Sequence, residues 1–170
     1  MKLRNDSFHH VTKIVTPNTE SICSCDKTAN IQFTKHLAYA TEYVMMPSNL
    51  NIAVTCCFDA LHFYNNRALQ IVNANDRWDI YIMESQETPS SSSLLFTGHK
   101  EEDTLFFVLG IIQYYRQSAF FKESITDWIT RLGIVHIREV LFDERLRHEL
   151  NENLSSDQRT HKKSSVTLMK

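Results

Sequence analysis

The chain has 170 residues, a net charge of -2 and a hydrophobic share of 42%, which suits one domain with polar ends. The near-neutral balance excludes a protein that coats nucleic acid by charge alone, because that task needs a basic surface. With three Gly and three Pro, the chain carries no glycine-rich phosphate loop, dinucleotide fingerprint or nucleophile elbow.

Residues 1–28 are read as a disordered N-terminal segment, because TPNTESICSCDKTAN is polar and sustains no apolar period. Within it His10–Val15 is a candidate short strand. Ile31 and Phe33 alternate with polar neighbours and predict a second short strand. Thr34 is then placed to cap a helix through Met46, with Leu37, Thr41, Val44 and Met45 on one face and Pro47 beyond its end.

Leu50, Ile52, Val54, Cys56 and Phe58 alternate without a break and predict a half-buried strand. Leu61 and Phe63 continue the period after a bend near Asp59, and Asn65-Asn66 suits a tight hairpin turn. Leu69 and Ile71 fit a return strand, 73–76 a second turn, and Trp78, Ile80 and Ile82 a third strand. The segment 50–84 thus reads as an antiparallel β-meander with one apolar face. Residues 85–93, SQETPSSSS, have the composition of a linker, and Leu94–Thr97 fits one more strand.

The run LFFVLGIIQYY at 105–115 is preceded by Glu101, Glu102 and Asp103 and followed by Arg116, charges that suit the two ends of a helix from Glu101 to Ser118. It is apolar nearly all round, hence buried, and too short for the ~20 apolar residues of a membrane span. Ser124 with Asp127 starts a short helix that Gly133 stops, carrying Ile125, Trp128, Ile129 and Leu132 inward. Trp128 is expected against the central helix near Phe106 or Leu109. A last helix is predicted from Val135 to Asn151 with an Asp143–Arg147 ion pair. It has two apolar stripes: Ile137 and Leu141, and, offset by more than a quarter-turn, Phe142, Leu146, Leu150 and Leu154.

The predicted architecture is α+β: an antiparallel β-meander covered on one face by two or three C-terminal helices. Residues 29–154 form the single domain and residues 155–170 a disordered polar tail. No cofactor and no catalytic residue is implied. The first functional expectation is a non-catalytic protein–protein interaction subunit of an intracellular complex. It binds another subunit, or a second copy of itself, through Phe142, Leu146, Leu150 and Leu154, because monomers seldom expose four large apolar side chains together.

The second expectation is a nucleic-acid-binding module. Tyr64, Trp78 and Tyr81 would stack single-stranded bases, although Trp78 shares the core phase, with Arg67, Arg77, Lys162 and Lys163 contacting phosphates. The third is a small thiol- or metal-dependent enzyme built on Cys23, Cys25, Cys56 and Cys57, or on Cys57 with Asp59 and His62. Structural zinc sites usually leave two to four residues between paired ligands, and neither cysteine pair does so; no metal is therefore expected. The first ten residues lack the apolar core of a secretory signal, which leads to an intracellular setting, the nucleus preferred over the cytoplasm, with no membrane contact.

Overall fold

The protein is described here by a computed structural model covering residues 12–15, 27–57, 68–83 and 92–167. Strand β1 (Thr12–Val15) leads to helix α1 (Thr28–Thr41), then β2 (Leu50–Thr55), β3 (Leu69–Ala74), β4 (Arg77–Met83) and β5 (Ser92–Gly98). Four helices follow: α2 (Glu101–Ser118), α3 (Ile125–Leu132), α4 (Ile134–Phe142) and α5 (Glu144–Thr167).

Strands β1 to β5 form one sheet in sequential order. The fold is α+β, but the sheet is mixed and the expected antiparallel meander is not present. Strand β3 runs parallel to β2, with Ile52 opposite Leu69 and Val54 opposite Ile71. Strand β1 adds to β2 in parallel as well, whereas β3–β4 and β4–β5 are antiparallel. A parallel neighbour requires a crossover rather than a hairpin; the expected turn at Asn65-Asn66 and the bend at Asp59 lie outside the described residues. The misreading has a physical source. Alternation marks a half-buried strand, but Ile52–Thr55 and Leu69–Val72 are buried without a gap, as parallel strands covered on both faces are. The β3–β4 turn does form at the expected place, with Asn75 and Asp76 both left-handed (φ 54° and 57°), the geometry of a two-residue hairpin.

One sheet face meets the helices. Leu50, Ile52, Val54, Leu69, Ile71, Trp78, Ile80 and Ile82 share a core with Phe33 and Leu37 of α1 and with Phe107, Val108, Ile111 and Ile112 of α2. Ile31 and Phe33 belong to α1 and not to a strand. Two residues apart on a helix they point in nearly opposite directions, so Phe33 is buried, stacked on Trp78 at 4.7 Å, while Ile31 is exposed. Helix α1 ends at Thr41, before the expected Met46, and Tyr43 just beyond is left-handed (φ 64°).

Helix α2 has the predicted bounds. At Gly110 it closely approaches α5: a Cβ there would lie 3.2 Å from Cγ of Arg147 and 3.5 Å from Nδ2 of Asn151, an approach that the lack of a side chain permits. Asn151 secures the crossing by donating to the Phe106 carbonyl at 3.0 Å. The single last helix predicted from Val135 is two helices. Asp143 breaks it, accepting the Leu146 amide through Oδ1 at 2.9 Å, and Arg147 donates to the Leu141 carbonyl in place of the expected partner Asp143. Helix α5 continues to Thr167, beyond the expected end at Asn151 and through most of the segment read as a polar tail. Four helices therefore follow the sheet, where two or three were predicted.

Candidate functional site: a groove floored by Tyr114

Helices α2, α4 and α5 leave a cleft of about 270 Å³ lined by Tyr114, Gln117, Val140, Leu146, Glu149 and Leu150. Its walls are mainly apolar, as ligand and peptide clefts generally are. Tyr114 supplies the floor because it lies on the outer side of α2, next to the inward-facing Tyr115 and Gln113.

Behind this floor the aromatic rings are continuous. Trp128 of α3 is fully buried and packs edge-on against both tyrosines, with ring centroids 5.4 Å from Tyr114 and 5.5 Å from Tyr115. The Ser124 cap, whose Oγ accepts the Asp127 amide at 3.1 Å, fixes the start of α3. The indole Nε1 donates to Ser118 Oγ at 2.8 Å, and that hydroxyl donates to the Tyr114 carbonyl at 2.6 Å. Trp128 is thus buried against the central helix as expected, but against Tyr114 and Tyr115, further along it than Phe106 and Leu109.

The two tyrosine hydroxyls have different partners. Tyr115 OH donates to the Glu123 backbone carbonyl, and burial pushes its pKa up to about 12, aided by the negative charges of Glu123 and Asp127. Tyr114 OH lies 3.0 Å from Nε2 of His136, a half-exposed residue of α4. Desolvation raises the Tyr114 pKa, and the Arg131 charge partly offsets this. The other ring nitrogen of His136, Nδ1, faces the Glu139 carboxylate at 3.7 Å.

An ion pair braces the loop below. Arg131 grips Glu123 with two bonds of 2.7 Å, donates to the Ser118 carbonyl at 2.8 Å and lies over the Phe120 ring at 4.2 Å. The hydrogen bond from Arg131 is the main reason that the Glu123 pKa is lowered.

The predicted contact stripe is divided by this arrangement. Leu150 and Leu154 are buried in the chain's own core. Leu146 is half-buried in the groove wall, and Phe142 is exposed, its ring 5.3 Å from that of Phe107. The break at Asp143 divides the second stripe, since Phe142 closes α4 and the three leucines belong to α5.

Of the residues singled out for nucleic acid, Arg77, Trp78, Tyr81, Lys162 and Lys163 lie among the described residues. Arg77 donates to the buried Asp79 at 3.0 Å, and Asp79 also accepts from Thr97 at 2.6 Å. Lys162, on α5, lies over Tyr39 at 5.6 Å, and Lys163 is exposed next to it. Tyr81 is half-buried on β4. Tyr64 and Arg67 lie outside the described residues, as do Cys23, Cys25, Asp59 and His62. Cys56 and Cys57 follow β2, the first buried and the second half-buried. Among the described residues no three His, Cys, Asp or Glu side chains are gathered to hold a metal ion. Nor is any described helix long and apolar enough to cross a membrane.

Tyr114 and His136 were not among the residues picked out from the sequence. They are 22 positions apart, and only the turn through α3 brings them together. The one available signal was aromatic density: Tyr114, Tyr115, Phe120, Phe121 and Trp128 fall within one short stretch.

The chain is similar to the assimilatory nitrate reductase electron transfer subunit of Bacillus subtilis (strain 168), with 39% identity over 140 residues, which is 79% of this chain and 18% of that protein. It is also similar to the nitrite reductase (NAD(P)H) of the same organism, with 27% identity over 122 residues, covering 71% of this chain and 15% of that protein. The chain therefore spans less than a fifth of the length of the curated relatives that it matches. No protein-family model matches it.

These relatives overturn the first functional expectation. Both are named for redox proteins of nitrate and nitrite reduction, a relation that contradicts the expectation of a purely non-catalytic scaffold in an intracellular complex and lends no support to a nucleic-acid module. The exclusion of any enzymatic link falls with it. Both relatives are bacterial, which removes the preference for a nucleus.

Proposed function

We propose that this chain is a redox-linked unit of an electron-transfer assembly of the kind that reduces nitrate or nitrite. The supporting observation is the 39% identity to the electron transfer subunit across 79% of the chain. The chain would work beside the other parts of such an assembly, which supply what the remaining length of the relatives contains. Within it, the groove over Tyr114 and the exposed Phe142 are the surface that a neighbouring subunit or a second copy covers. Leu146 lines that surface, and Leu150 and Leu154 hold it up from beneath.

The test is a segment exchange. In the Bacillus subtilis electron transfer subunit, the stretch matching this chain is deleted or replaced by it, and growth on nitrate as sole nitrogen source is followed together with nitrate reduction in extracts. Loss on deletion and recovery on replacement support the proposal. A replaced subunit that accumulates normally but leaves nitrate unreduced overturns it. Leu146→Glu in the exchanged segment should lower the recovered activity while the segment's own melting temperature changes little.

A further inference from the structure

Two adjacent tyrosines contact one buried tryptophan, and only one of them has a base on its hydroxyl. The Tyr115 proton is shared with a backbone carbonyl, which cannot take it. The Trp128 indole proton is shared with a serine hydroxyl, which cannot take it either. Tyr114 OH alone meets an imidazole nitrogen, at 3.0 Å. Neutral imidazole is basic enough to accept a proton near neutral pH. The Glu139 carboxylate lies on the far side of the ring, 3.7 Å from Nδ1.

We infer that Tyr114 is a redox-active tyrosine: it gives one electron to an oxidant at the groove while its phenolic proton moves to Nε2 of His136. The O–H bond breaks and an N–H bond forms. The oxidant, a one-electron acceptor from a neighbouring redox subunit, is reduced by one electron. The products are a neutral phenoxyl radical and an imidazolium, and return of one electron and the proton restores the pair.

The same geometry sets a direction. An electron vacancy on Trp128 or Tyr115 retains its proton and is costly in a buried site, where an unpaired charge lacks solvation. On Tyr114 the proton leaves and no net charge is created on the ring. Oxidising equivalents that reach the buried stack therefore run outward over ring contacts of 5.4 and 5.5 Å and settle on Tyr114. His136 is half-exposed, so the transferred proton has access to solvent. The inference deepens the redox-linked reading and depends on it for the natural oxidant, but not for the chemistry of the pair.

The test requires no partner and so fails separately from the segment exchange. In the full chain Tyr39, Tyr43, Tyr64 and Tyr81 are changed to Phe, leaving Tyr114 and Tyr115. Flash-generated ruthenium(III) tris-bipyridine, with persulfate as terminal acceptor, is the oxidant, and the radical is followed by transient absorption and electron paramagnetic resonance. A neutral tyrosyl radical should form, survive Tyr115→Phe and disappear in Tyr114→Phe. In His136→Phe its formation should slow by roughly 10²-fold or more, the range for removal of a positioned base, and lose its solvent deuterium isotope effect. Cooperative melting of each variant checks the fold. A second measurement uses the unmodified chain, in which a nitroso spin trap located by mass spectrometry should mark Tyr114 ahead of Tyr115 and Trp128. A radical that resides on Tyr115 or Trp128, or one whose rate and isotope effect are unchanged in His136→Phe, overturns the inference.

Discussion

The Asp143 carboxylate accepts the backbone amide of Leu146 at 2.9 Å and so starts a new helix where the hydrophobic pattern reads as one continuous helix. Short acidic side chains compete for nearby amides in this way and are favoured at helix starts. Asp143→Ala should cost about 0.5–2 kcal/mol, the usual range for a lost cap, and Asp143→Asn much less. Thermal melts of the two variants check this. Equal melting temperatures for Ala and wild type would mean that the break is set by packing alone.

Trp128 is the largest fully buried side chain. Trp128→Ala removes its contacts with both tyrosines and should cost about 3–5 kcal/mol, enough to unfold a domain of ordinary stability. Trp128→Phe keeps most of the apolar volume but leaves Ser118 Oγ without its donor, and should fall between the two. Urea melts followed by circular dichroism give the ranking.

The raised pKa of Tyr115 makes an alkaline prediction. The folded state holds the neutral phenol up to about 12, whereas an unfolded chain ionises near 10.0. The stability so gained is complete below the unfolded value and is lost as pH rises from about 10 towards 12. Tyrosinate absorbance in the folded protein should therefore show a late step at about 12 that is absent in Tyr115→Phe.

Glu123 makes the opposite prediction in acid. Its folded pKa is depressed by the Arg131 hydrogen bond, so its contribution is present above the ordinary carboxylate range and is lost as pH falls through the folded value. Glu123→Gln should lower the melting temperature near neutrality and leave it unchanged in strong acid, where wild-type Glu123 is also uncharged. The effect near neutrality should be modest, because surface ion pairs contribute on the order of 1 kcal/mol or less.

The extent of the terminal helix is testable by truncation. Beyond Leu154, Asp157 pairs with Arg116 at 3.1 Å and Gln158 donates to the Tyr39 carbonyl. A chain ending at Leu154 should stay folded and melt slightly lower, as loss of a partly exposed ion pair predicts. Cooperative loss of structure on this truncation would place the domain boundary further along.

Local physics was legible in the sequence. The charged ends of α2, the Ser124 cap and Gly133 stop of α3, and the β3–β4 turn follow from dipoles, capping and left-handed turn residues, all interactions within a few positions. What lay between distant segments was not legible. Alternation does not distinguish a strand with a parallel neighbour from one with an antiparallel neighbour, so the β2–β3 pairing required the sheet itself. The stripe of Phe142, Leu146, Leu150 and Leu154 looked continuous because the pattern carries no record of Asp143 turning back to cap. Burial of Leu150 and Leu154 was decided by α2, whose Gly110 lets α5 approach. The juxtaposition of Tyr114 with His136 is tertiary in the same sense. The sequence supplies a phenol and an imidazole 22 positions apart, and only the packing of α3 and α4 against α2 brings them within hydrogen-bonding distance.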